Sequence, residues 1–385
     1  MGEVDSPLAT IAIPTFNRVE TLKRAVASAQ AQDYRSVEIL IIDNASEDAT
    51  TEVCQALADD DPRIRYIRQP RNVGPIRNFE TGLENARGHY FMWLADDDWI
   101  TPNYVRRCAE ELEKGPHRIV VGRDFWYLGE DAIAEPIVTA LEPEPAPRIL
   151  NYLKVVASNA ATYGLSRTED LRGQLPIPRQ VAGDWLWVMA MLNKGTLDVL
   201  PDAHIYRDRG GISSNFHEMT AQLGYGRLAR WFPRTLAPIN VFRAIARGKD
   251  FRNPRGGSSQ FLLAARAGLV TIMKMNPSDD LTEMVSRGLQ RFVPRRVYDV
   301  LRSCYQPVRR IERRVRSRIL STPLSRQFPT DQGSLGNCRD PLDTTEICTR
   351  ATPPAGREAP DEITAERAPC ARPPIVADQQ PADQR

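Results

Sequence analysis

Apolar residues enter this chain in short runs, and most runs are followed by a stretch with helical spacing. Leu8 to Ile13 is apolar apart from Thr10 and is bounded by Pro14, which is the pattern of a buried strand that stops at the proline. Thr21 to Gln32 places Leu22, Ala25, Val26 and Ala29 on one face of a helix. Val37 to Ile42 reads as a second strand ending at Asp43. Glu52 to Ala58 reads as a helix, Ile64 to Ile67 as a short strand, and Ile76 to Arg87 as a helix. Tyr90 to Leu94 is a further strand that runs into Asp96, Asp97 and Asp98. Such alternation with short connections, up to about Asp124, predicts an α/β architecture with a doubly wound, mostly parallel sheet. In such sheets ligands bind beyond the carboxyl ends of the strands, and Thr15, Asp43 and Asp96 gather there.

Beyond Asp124 the pattern changes. Residues 125–160 are irregular, with Pro143, Pro145 and Pro147 close together. Thr162 to Ser166 and Thr196 to Tyr206 are strand-like, and Gly183 to Leu192 is an apolar helix opening with Asp184. From about Phe216 to Ile319 the chain reads as helical. Within it, residues 295–318 hold nine arginines against Asp299 and Glu312, with apolar residues at three- and four-residue steps. This is a basic amphipathic helix, suited either to an anionic membrane surface or to a solvated basic face. After about Pro329 the chain is Pro-rich, polar and aperiodic, and is expected to be disordered. The expected division is therefore 1–215 (itself 1–124 and 125–215), a helical region over 216–328, and a tail over 329–385.

Composition narrows the functional classes. The formal net charge of +2 supplies no global field for nucleic acid, which is not an expected partner. The six cysteines are scattered without a CxxC pair and there are only four histidines, so neither a zinc site nor a disulfide framework is expected. The N-terminus lacks the apolar core of a secretory signal, and no apolar run is long enough to span a bilayer. A cytoplasmic setting follows, with the basic helix bringing the protein to the inner face of the plasma membrane.

The acid run carries the strongest chemical signal. Three consecutive carboxylates repel one another unless a cation neutralises them. In an extended chain Asp96 and Asp98 leave the same face and reach one hard cation, Mg²⁺ or Mn²⁺, of the kind that carries a phosphate-bearing substrate. The alternative is an acidic N-cap, with Trp99 to Pro102 opening a helix.

Four ordered segments extend this signal: Ile13-Pro14-Thr15-Phe16-Asn17-Arg18, Ile42-Asp43-Asn44-Ala45-Ser46-Glu47-Asp48-Ala49-Thr50, Asn72-Val73-Gly74-Pro75-Ile76-Arg77-Asn78, and Ala95-Asp96-Asp97-Asp98. Together they resemble the nucleotide-sugar domain of family 2 glycosyltransferases, the inverting group with the GT-A fold. Gly183-Asp184-Trp185-Leu186-Trp187 resembles the segment carrying that family's catalytic base. Ile205 to Ser213 resembles its closing element, so the resemblance covers roughly residues 8–215.

The resemblance implies a metal-dependent enzyme that moves a sugar from a nucleotide diphosphate-sugar donor to a saccharide or lipid-linked saccharide acceptor, in surface polysaccharide or glycolipid biosynthesis. It implies donor contacts from Pro14, Thr15, Asn17, Arg18, Asp43, Arg77, Asp96, Asp97, Arg207 and Arg209. Asp98 is the implied metal ligand, with Asp96 beside it on metal or ribose and Asp97 able to exchange roles with either. Asp184 is the implied general base, and Trp185 and Trp187 are candidates for the acceptor sugar.

Each residue has a plainer reading as well: Asp43 as a cap, Thr15 in loop hydrogen bonds, Arg77 as a surface arginine, Trp187 as core, and Asp184 as a partner of a helix dipole. Two positions depart from the family pattern. Ala95 stands where many members have Asp. Arg209 stands where relatives have a metal-binding histidine, and an arginine cannot ligate a cation, although with Arg207 it can grip a diphosphate. A sugar nucleotidyltransferase is a rival reading, but it should carry a Gly-rich phosphate loop, and the Pro14 to Arg18 loop has no glycine. A non-catalytic nucleotide-sugar-binding scaffold is another, and it would tolerate loss of Asp184.

Overall fold

A computed structural model describes residues 7–275 except 129–130, 136–137, 157–158, 209–218, 222 and 252–256. The chain divides into two units, and all described residues fall in the first, 1–323. Arg209, the basic helix expected at 295–318 and the tail lie outside the described residues.

The first sheet arises from the apolar runs. Its strands are β1 (Ala9–Thr15), β2 (Val37–Asp43), β3 (Ile64–Arg68), β4 (Tyr90–Trp93) and, later in the chain, β8 (Ser166–Arg167), in the order β3-β2-β1-β4-β8. All pairings are parallel except that of β8 with β4. Every residue of β1 and β2 is buried, because helices cover both faces of the sheet. Ile11, Ile13, Ile39 and Ile41 join one core with Leu22, Ala25, Val26 and Ala29 of α1 (Val19–Gln30). Ala12, Leu40 and Ile42 point the other way, into a second core with Leu83 of α3 (Pro75–Asn85). Gly82 lets α3 close on the sheet, since a Cβ there would sit 3.1 Å from Ile42 Cδ1 and 3.2 Å from Ala12 Cβ. The helix α2 (Thr50–Asp60) links β2 to β3.

The proline does not end β1: Pro14 pairs with Ile42 and Thr15 with Asp43. Pro14 lacks an N–H to donate. It is tolerated because β4 stops opposite Ala12, so β1 is a sheet edge on that side by Pro14.

A second sheet is added, which takes in the strand expected at 196–206 and a strand in the stretch read as irregular. It has the order β5-β9-β6-β7, from β5 (Trp99–Ile100), β6 (His117–Leu128), β7 (Asp131–Ala134) and β9 (Thr196–Asp208), with α4 (Tyr104–Leu112) between β5 and β6. The Pro-rich passage opens α5 (Pro145–Val155), with proline in its first turn, where no N–H is needed. The expected strand at 162–166 is instead a 3-10 turn over Ala160–Tyr163 followed by β8, and α6 (Thr168–Arg172) comes next. The apolar helix is α7 (Gly183–Leu192).

The helices α8 (Arg227–Trp231), α9 (Pro233–Arg247) and α10 (Gly257–Met275) follow. Val241, Ile245, Ala264 and Ala267 of α9 and α10 share the second core with α5 and α7. Among the described residues no helix is long and apolar enough to cross a membrane.

Candidate active site

The acid run sits in the turn that carries the chain from the first sheet to the second. Leu94 N–H donates to Ala12 O at 2.9 Å, Asp98 N–H donates back to Ala95 O at 3.1 Å, and Trp99 then pairs with Tyr206 in β9. Two expectations are thereby corrected. The run is a turn rather than an extended strand, so alternation does not put Asp96 and Asp98 on one face. It does not cap a helix either, because α4 begins only at Tyr104, with Asn103 at its N-cap.

The three carboxylates have different surroundings. Asp96 is 8% exposed and accepts the Thr15 hydroxyl at 2.8 Å, with Arg18 Nη1 at 3.5 Å. Asp97 is half-buried and accepts Arg18 Nη1 at 2.5 Å. Asp98 is 3% exposed, accepts Asp208 N–H at 3.1 Å and lies 3.9 Å from Arg207 Nε. Burial first, and the Asp97 charge second, push Asp96 up to about 6 against the pull of Arg18. The same two causes push Asp98 up to about 8 against the pull of Arg207. The nearby arginines therefore leave these carboxylates under-neutralised. The donor set is all oxygen, which fits Mg²⁺ or Mn²⁺.

The β1–α1 loop forms the opposite wall. Asn17, held at φ 53°, receives Glu47 N–H on Oδ1 at 2.7 Å and donates its own N–H to Ser46 Oγ at 2.9 Å. These bonds tie the loop to the one after β2. Arg18 is the N-cap of α1 and makes no side-chain capping bond. A cleft of about 410 Å³ opens here, lined by Asn17, Arg18, the first turn of α1, Asp48, Asp97 and Asp208.

On the second sheet Arg207 is 8% exposed and bonds Asp124 at 3.2 Å. Its guanidinium lies 4.4 Å over Trp126 and 5.2 Å over Tyr163. Asp184 occupies the first turn of α7, just after Ala182 in a left-handed conformation at φ 64°. Asn159 Nδ2 donates to Asp184 Oδ2 at 3.0 Å, and the Tyr152 hydroxyl holds Asn159 Oδ1 at 2.7 Å. Asp184 reaches solvent, yet protein crowds it, and this desolvation holds its carboxyl above the usual range against the Asn159 bond and the more distant Arg207 charge. The Tyr163 phenol is raised mainly by burial and also by Asp98, Asp97 and Asp184 together. The acid turn and Asp184 therefore lie around one Arg207–Tyr163 pair.

Residues 10–154 match the family model described as glycosyl transferase family 2. The chain carries a family 2 glycosyltransferase domain. It is 36% identical over 110 residues to the Campylobacter jejuni GalNAc(5)-diNAcBac-PP-undecaprenol beta-1,3-glucosyltransferase, covering 28% of this chain and 36% of that one. It is 35% identical over 115 residues to the succinoglycan biosynthesis protein ExoO of Rhizobium meliloti, covering 30% and 32% of the two chains. The match thus spans about a third of the length of these relatives. The fold is similar to that of S. aureus TarS residues 1–349 in complex with UDP-GlcNAc, with a TM-score of 0.52 at 14% identity, over 74% of this chain and 76% of that one. The architecture is GT-A, with a helical C-terminal region.

Not every residue expected at the site of this glycosyltransferase domain is brought there. Asp43 is fully buried; Oδ1 accepts Ser46 N–H at 2.8 Å and Oδ2 accepts the Tyr66 hydroxyl at 2.7 Å, so it shapes its loop rather than offering a free acceptor. Arg77 runs along α3 and clasps Glu84 at 2.6 and 2.8 Å, with Glu80 at 3.4 Å, so its charge is spent on its own helix. Trp187 is 4% exposed and meets Trp93 edge-on at 5.3 Å; it is core, not an acceptor platform. Trp185 is half-buried beside Asp184. Pro14 contributes through the end of β1, which aims Thr15 at Asp96.

Two residues of the site had no local signal. Asp124 is the partner of Arg207. Arg24 donates to Asp97 O at 2.6 Å, stacks 4.1 Å over Trp99 and lies 3.5 Å from Asp208. A second cluster, Glu111, His117 and Asp198, has ligand atoms within 4.8 Å of one another, but it lies at the entry of β6 and β9, at the other end of those strands from Asp124 and Arg207.

Proposed function

We propose that this protein is an inverting glycosyltransferase that moves a sugar from a nucleotide diphosphate-sugar to a hydroxyl of a saccharide or lipid-linked saccharide, in surface polysaccharide or glycolipid assembly. The observation that carries the reading is the grouping of the acid turn and Asp184 around Arg207 and Tyr163. The relatives supply the pathway class: one is named for transfer to an undecaprenol-linked saccharide and the other for succinoglycan biosynthesis.

Residues 1–124 would hold the donor and 125–215 the acceptor. The cleft beside Arg18 offers a guanidinium and a helix N-terminus to a diphosphate. Asp98, with Asp96, would hold Mg²⁺ or Mn²⁺, which when bound neutralises charge on the departing nucleoside diphosphate. Asp184 takes the proton of the acceptor hydroxyl as its oxygen attacks the anomeric carbon. Desolvation suits it to this task, since a carboxylate of raised pKa is a stronger base. Arg207 holds Asp98 in place from the protein side, and its Asp124 bond fixes it there.

The test is calorimetric titration with UDP, GDP and dTDP, with and without Mn²⁺, on the wild type and Asp98→Ala. One nucleotide should bind more tightly with Mn²⁺, and that gain should vanish in the variant. Binding of none of the three would refute the donor site for these bases.

A further inference from the structure

The helix α10 is built inside out. At 100° per residue, Phe261, Leu262, Ala265, Arg266, Leu269 and Ile272 fall on one continuous face. All are exposed, with Phe261 at 60%, Leu262 at 57%, Leu269 at 52% and Ile272 at 46%. The opposite face, which packs inward, is Ala264, Ala267 and Thr271, with Gly268 close enough that a Cβ there would sit 3.4 Å from Phe242 Cβ. A helix on a water-facing surface turns its large apolar residues inward; this one turns them out. The neighbouring helices add Leu228 at 69%, Trp231 at 46% and Ile239 at 42%.

Charge says what covers such a face. Arg227, Arg230, Arg243, Arg247 and Lys249 are exposed around it, as is Arg266 on α10 itself. Residues 226–275 hold ten lysines and arginines against the single acid Asp250, in a chain whose net charge is only +2. A second copy of the chain would bring the same positive rim. Residues 295–318, with nine arginines and two acids, carry the same sign and would not neutralise it. An anionic, apolar phase satisfies both features at once.

We propose that the outer faces of α8, α9 and α10 dock on an anionic phospholipid bilayer, with the leucines and aromatic rings in the acyl boundary and the arginines at the headgroups. This deepens the preceding reading, since it is how a lipid-linked acceptor would reach the enzyme. The docking layer is tied to the proposed base: Asn240 Nδ2 of α9 donates to Val181 O at 3.1 Å, just before the helix that carries Asp184. Lys274 Nζ of α10 donates to Lys154 O on α5 at 3.0 Å. Gln260 Nε2 bonds Ile245 O at 2.7 Å and Gly248 O at 3.1 Å, which locks α10 against the end of α9.

The test is co-sedimentation of the full chain with vesicles of phosphatidylcholine alone and of phosphatidylcholine mixed with phosphatidylglycerol. The wild type should bind the anionic vesicles and not the neutral ones. The double variant Leu262→Ser, Leu269→Ser should weaken binding about tenfold or more by removing buried apolar area. Arg243→Gln with Arg247→Gln should weaken it by a similar factor and flatten its salt dependence. Melting temperature and nucleotide titration, unchanged in both variants, would show that the fold and the donor cleft are intact. Absence of vesicle binding by the wild type, or wild-type binding in both variants, would overturn the proposal. So would a dimer that the leucine variant splits without loss of vesicle binding. Nucleotide binding is read separately, so failure of the docking surface and failure of the donor site are distinct results.

Discussion

The two sheets bring different charges to the site. In the first, β1 and β2 are apolar apart from Thr10 and Glu38, which bond each other at 2.6 Å near the amino ends, and Thr15 and Asp43 meet the loops at the carboxyl ends. In the second, Asp124 lies inside β6 and pairs at 3.2 Å with Arg207, one residue from the end of β9, both buried. A strand end can leave carboxylates poorly neutralised because a ligand or water can reach them. A strand interior cannot, so each charge there needs a protein partner. The site forms where the two regimes meet, with Asp98 from the turn beside Arg207 from the sheet.

Breaking the site at the base should have the largest effect. Asp184→Asn keeps the shape and the Asn159 contact region but removes the proton acceptor. We expect kcat for sugar transfer to fall by about 10³-fold with donor binding unchanged, measured by steady-state kinetics and titration. Full activity in this variant would remove Asp184 as the base, and nucleotide binding with no sugar transfer by the wild type would favour a scaffold.

Next comes the buried pair. Asp124→Asn leaves Arg207 without its strand partner and should cost about 3 kcal/mol in urea unfolding. An equal loss from a surface pair would erase the contrast between the sheets.

The acid turn sharpens the comparison through pH. Asp96 and Asp98 are raised in the fold to about 6 and about 8, from a usual value of 3.8. A carboxyl raised in the folded state binds more protons folded than unfolded, so stability falls as pH rises. The metal-free protein should lose melting temperature between pH 4 and about 8, and Mg²⁺ or Mn²⁺ should restore more of it at pH 8 than at pH 5. Thermal scans across that range with and without cation check the sign.

The smallest effect belongs to Arg77. Arg77→Gln removes an exposed pair with Glu84 and a 3.4 Å contact to buried Glu80, which keeps its bonds from Ile177 N–H and Arg179, and should change stability by about 0.5 kcal/mol or less, with no change in nucleotide binding. A clear loss of nucleotide affinity would return this arginine to the donor site.

Periodicity by itself determined the first sheet and its helices, because alternation and helical spacing are properties of neighbours along the chain. The run of like charges marked Asp96 to Asp98 as candidate chemistry, since their repulsion is a cost readable without a fold, and the resemblance of Gly183 to Trp187 marked Asp184. Trp187 shows the limit: its spacing suits a sugar platform and a core equally, and only the Trp93 ring at 5.3 Å decides for core. Arg77 shows another, because a guanidinium takes whichever carboxylate the helix brings near, and α3 brings Glu84. The second sheet was only partly legible: the strand read at 196–206 is β9, but β6 carries Arg123 and Asp124 where a strand pattern expects apolar residues. Arg207 and Asp124 are 83 positions apart, and Arg24 and Asp208 are 184 apart. No local pattern encodes such partners. Tertiary structure chose them, because burying one charge out of water requires another beside it, and only the folded chain determines which one is near.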